Sequence, residues 1–99
     1  MKDDFQKAIS QKNYQKTINL LERGLNSVYE HPKLGDGIVI VLEGLTLGKF
    51  SEGKVCSVLR ELDRNKVPYK ETVSSLESYS LIRDQLPRSI QNGLKWRNF

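Results

Sequence analysis

The chain is short of almost everything that catalysis and covalent bracing require. Its 99 residues include one cysteine and one histidine. A lone Cys56 excludes an internal disulfide and points to a reducing compartment, the cytoplasm. Cys56 and His31 together cannot furnish a zinc site within one chain. His31 precedes Pro32 at a predicted helix end, where it reads as a surface cap interacting with the helix dipole. It has no Gly-x-Ser-x-Gly elbow to serve as base for. Cys56 falls beside the apolar stripe of its helix and reads as a structural thiol.

The other absences are equally informative. Three prolines and seven glycines exclude low complexity. Gly48-Lys49 continues with Phe50, so it is not a phosphate loop. The acids do not cluster. Asp3-Asp4 sits at a predicted helix start, where negative charge is favourable, and Glu61 and Asp63 are too close in sequence to share a helix face. No metal, no cofactor and no enzymatic activity are therefore expected. The first ten residues, MKDDFQKAIS, carry two acids and no apolar stretch, unlike a signal peptide. The one strongly apolar run, Gly37–Leu47, is far shorter than the roughly 20 residues of a membrane span.

What is present is the composition of a single small globular domain. Hydrophobic residues make up 37% and charged residues 28% of the chain. The net charge is +4, from sixteen cations against twelve acids dispersed along the sequence. Such dispersion reads as a solvated surface rather than one concentrated basic patch.

Apolar spacing predicts an all-α fold, a compact bundle of four or five short helices. Phe5, Ala8 and Ile9 mark a first helix over 3–10. Asn13 caps a second over 14–29, with Tyr14, Ile18, Leu21, Leu25 and Val28 on its inner face. Pro32 closes it. Asp36 is placed to cap Gly37–Leu47, in which Ile38, Val41, Leu42 and Leu45 share a face. The Ile-Val-Ile-Val stretch also suits a buried strand, and a strand paired across a dimer is the rival reading. Helix is favoured because no other segment alternates and a lone strand leaves its backbone unpaired. Ser51 caps a helix carrying Val55, Val58, Leu59 and Leu62, closed by Val67-Pro68. A serine-weakened helix runs from Lys70 toward Leu86 on Val73, Leu76, Tyr79 or Ser80, and Arg83. Pro87 breaks it or starts a last short helix with Ile90 and Leu94.

Lys12-Asn13-Tyr14-Gln15-Lys16 and Gly48-Lys49-Phe50-Ser51-Glu52 echo one another, each setting a polar turn and an aromatic before a helix. The segment 13–25, NYQKTINLLERGL, resembles the second helix of a tetratricopeptide repeat. Tyr14, Leu21 and Leu25 stand at its large positions, and Thr17 and Gly24 stand where alanine is usual. The resemblance implies two stacked helical hairpins, 3–30 and 37–66, with a C-terminal helical segment. The family mostly binds peptides.

These features point to a small cytoplasmic interaction protein, an inhibitor, immunity protein or adaptor, acting by surface complementarity on a protein partner. Candidate contacts are Tyr29, Tyr69, Tyr79, Trp96 and Arg97, since exposed aromatics and arginine anchor interfaces. From Gln85 to Phe99 there are three cations, Arg88, Lys95 and Arg97, and no acid. Cations interleaved with aromatics also suit nucleic acid, which would be gripped by Arg83, Arg88, Lys95 and Arg97. A third expectation is an oligomer joined through Ile38–Leu47.

Overall fold

The computed structural model describes residues 3–94. Within them the chain is all α-helical: α1 (Asp4–Ser10), α2 (Tyr14–Glu22), α3 (Asn26–Tyr29), α4 (Leu34–Thr46), α5 (Glu52–Arg64), α6 (Lys70–Ser75), α7 (Glu77–Ile82) and α8 (Arg88–Gly93), with a 3-10 turn at Arg83–Gln85 before α8. The Ile-Val-Ile-Val stretch is helical, and there is no strand among the described residues. No helix among them is long and apolar enough to cross a membrane.

Local chemistry explains most boundaries. The side chains of Asp3, Asn13 and Ser51 each accept a backbone N–H one turn on, starting α1, α2 and α5. Helix α4 starts earlier than a cap at Asp36 would allow. His31 stitches its entry: its carbonyl accepts from Leu34, and its Nδ1 accepts from the Lys33 backbone N–H at 2.9 Å. Asp36 instead lies in the first turn of α4, where it complements the helix dipole.

Helices α1, α4 and α5 end in the same way. After α4, the Lys49 N–H reaches the Gly44 carbonyl and the Gly48 N–H reaches that of Leu45. Asn13 and Lys12 bond Ala8 and Ile9 in the same pattern, and Val67 and Lys66 bond Leu62 and Asp63. This is the Schellman closure, whose pivot adopts left-handed geometry and is usually glycine. Here two of the three pivots are lysines, Lys12 at φ 50° and Lys66 at φ 59°. Left-handed backbone costs a residue bearing a Cβ about 1–2 kcal/mol. Lys66→Gly is therefore expected to stabilise the protein by roughly 0.5–1 kcal/mol, after the greater unfolded freedom of glycine is subtracted. Thermal unfolding followed by circular dichroism should show a midpoint several degrees higher.

The two predicted long helices are each split. Gly24 takes φ 70°, so α2 stops at Glu22 and Leu25 becomes the extended residue before α3. Leu25, expected on the inner face, is 39% exposed as a result. Leu76, with φ −76° and ψ 135°, separates α6 from α7.

Helix α4 is the centre of the fold. It packs on α1, α2, α5, α6 and α7, with α1 and α2 also paired to each other. Ile38, Val41 and Leu42 are almost wholly buried. Each such side chain contributes about 1.5–3 kcal/mol through burial. Ile38 through Leu42 are thus covered by the chain itself, which leaves the expected oligomer face only half-buried Leu45 and exposed Leu47. Helix α8 closes the described end through buried Ile90 and Leu94. Ser74 Oγ donates to the Leu94 carbonyl at 3.1 Å, and Ser89 Oγ donates to Glu52.

Candidate protein-interaction surface

The most distinctive surface feature lies where α7 crosses the outer side of α4. Leu76 and Ile82 are half-buried and Tyr79 is buried, so that face of α7 holds it to the core. Its other face carries Ser78 and Leu81. Leu81 is 74% exposed, the most exposed of the large hydrophobic residues described. Beside it runs a groove of about 310 Å³ floored by Val39 and Ile40 and walled by Ile9 and Ile82. Lys12, Asp36, Glu43 and Ser78 form its polar rim.

The rim is electrostatically uneven. Glu43 Oε1 accepts from the Tyr14 hydroxyl at 3.3 Å and lies 3.6 Å from Lys12 Nζ. Lys49 in turn stands 5.3 Å above the Tyr14 ring. Burial, and then the Glu43 carboxylate, push the Tyr14 phenol above its ordinary range. Asp36 has no ion-pair partner among the described residues.

The residues singled out from the sequence are dispersed. Tyr69 and Tyr79 are 2% and 5% exposed and belong to the hydrophobic core, which corrects their placement as surface contacts. Tyr29 is half-buried against that core, and Asn65 Nδ2 donates to its hydroxyl at 3.4 Å. Arg83 is exposed, 3.8 Å from Asp84, and lines a shallow pocket with Tyr79, Gln91 and Leu94 that Arg88 does not reach. Arg88 is exposed in the first turn of α8. Lys95, Trp96 and Arg97 lie outside the described residues.

Burial shapes the tyrosine chemistry. Tyr69 is raised well above the ordinary phenol value of 10.0, first by desolvation and then by the nearby Asp63 carboxylate. A phenol raised by folding contributes stability that is complete below the unfolded value. That stability is lost as pH climbs past 10 toward the folded value. The urea midpoint is expected to fall above pH 10, and Tyr69→Phe should lessen the slope by up to about 1.4 kcal/mol per pH unit. Tyr14, Tyr29 and Tyr79 are raised too and will maintain part of the decline.

His31 is more than a surface cap. Its side chain is 10% exposed, with Nε2 2.7 Å from Asp3 Oδ2 and the ring edge-on to Phe5 at 5.2 Å. It therefore pins the start of α1 to the entry of α4. The Gln6 backbone N–H, followed by His31, holds the Asp3 carboxyl below its usual range. Cys56 is half-buried against the core and unpaired. Among the described residues, no three of His, Cys, Asp and Glu gather in a way that could hold a metal ion.

Leu81, Ile82, Ile40 and Ile9 form the candidate surface; of these only Ile40, within the Ile38–Leu47 stretch expected to join an oligomer, was placed at a contact by sequence. The available signal was the adjacent Leu81-Ile82 pair, which a six-residue helix cannot bury entirely on one side. No family model, curated protein or solved structure matches this chain.

Proposed function

We propose that the protein is a small non-catalytic interaction module, an inhibitor, immunity or adaptor protein, that engages a protein partner through the α4–α7 groove. The observation that carries this reading is Leu81, 74% exposed at the lip of an apolar groove. Exposed Leu81 together with half-buried Ile9 and Ile82 leaves apolar area facing solvent along the groove, and a protein partner can bury it. The free Cys56 thiol supports a reducing, cytoplasmic setting.

The test is affinity capture from lysate of the source cells, with wild-type protein and Leu81→Asp compared by quantitative mass spectrometry. The reading expects a protein captured by wild type and depleted with the variant. Equal recovery with both would contradict it.

A further inference from the structure

We propose that the occupant of this groove is an amphipathic helix of the partner, with lysine or arginine flanking its apolar stripe. The inference rests on the interaction reading and specifies the chemistry of the partner. Asp36 and Glu43 are seven residues apart on α4, so they share a face about 10 Å apart along the axis. Val39 and Ile40 lie between them on the groove floor. The acids therefore bound a groove two helical turns long, whose accessible apolar area comes from Leu81, Ile9 and Ile82 above the buried floor. This matches side chains spaced three or four residues apart on a facing helix, with cations at either end.

The charge balance sharpens the match. The chain as a whole carries +4, yet this rim holds two acids and a single cation. That cation, Lys12, is 63% exposed and 3.6 Å from Glu43, a loose surface pair that an incoming cation can replace. Asp36 is unpaired among the described residues and open to a new partner. An acidic partner would meet two like charges here. Leu81, exposed at the lip of the groove, would insert beside the apolar stripe of the helix.

The experiment uses two fluorescein-labelled 18-residue model helices with identical leucine stripes, one flanked by lysine and one by glutamate. Each is titrated by anisotropy against the full chain. The lysine peptide is expected to bind at least tenfold more tightly at 50 mM salt and to weaken severalfold at 300 mM. Asp36→Asn combined with Glu43→Gln should erase the preference while circular dichroism shows the helices intact. Equal binding of the two peptides, or a preference that survives the double substitution, overturns the proposal. If the lysine preference is absent but Leu81→Asp still abolishes capture of the cellular partner, the interaction reading stands and the basic-helix inference fails. If Leu81→Asp leaves capture unchanged, the interaction reading itself fails.

Discussion

Gly37→Ala is expected to destabilise the protein by about 1–3 kcal/mol, although alanine is the better helix former. A Cβ at position 37 would lie 2.3 Å from Phe5 Cζ, well inside contact distance. The Phe5 ring is 3% exposed and packed edge-on against His31, so it has little room to swing aside. Gly44 has the same relation to Phe50, whose Cε2 would be 2.5 Å from the added carbon. Both glycines let an aromatic ring lie directly on the backbone of α4, which is how short neighbouring elements cover a central helix. Urea titration measures the loss. Gly53→Ala is the control, because nothing lies within 4 Å of a Cβ there, and that variant should gain stability. Truncating Phe5 in the Gly37→Ala background should cost less than truncating it in wild type, a coupling that a double-mutant cycle reads directly. A gain in both glycine variants would mean that Phe5 does not sit on α4 as described.

The second large effect concerns binding. Leu81→Asp is expected to weaken association with the partner by about thirtyfold or more, the loss that follows removal of a central anchor worth 2 kcal/mol. Stability should move by no more than about 0.5 kcal/mol, because the side chain is already 74% exposed. The separation matters: a core leucine replaced by aspartate would lose binding by unfolding. Leu47→Asp offers a matched comparison, since Leu47 is 58% exposed at the end of α4 but does not line the groove. Leu47→Asp is expected to bind as wild type does. Comparable loss from both substitutions would indicate a broad apolar effect rather than a defined site.

The helical class and the central place of Gly37–Leu47 were legible because both rest on local chemistry and on periodicity. Asn13 and Ser51 cap as expected because the pairing of their side chains with the backbone is decided within one turn. The interruptions were not legible. Leu21, Leu25 and Val28 keep helical spacing straight through Gly24, and only the folded backbone shows that Gly24 turns left-handed. Helix α6 gives way at Leu76, a residue with good helix propensity, because tertiary packing of Tyr79 and Ile82 sets a new axis for α7.

The candidate site was less legible than the fold. Exposure of one leucine in a short helix depends on which side its neighbours cover, and that is a tertiary property. Tyr69 and Tyr79 illustrate the converse: aromatic residues read as contacts from composition are consumed by the core of a small domain, where few side chains are large enough to fill it. Lys12 and Lys66 show a third limit. A positive-φ pivot is announced by glycine at position 48, whereas lysine gives no such signal.

The central claim is that the α4–α7 groove is where this protein meets its partner. It is tested most directly by site-specific photo-crosslinking in the source cells, with a photoreactive amino acid at position 81 or, separately, at position 47. A discrete protein adduct is expected from position 81 and none from position 47. An adduct from position 47 alone, equal adducts from both, or none from either would contradict it.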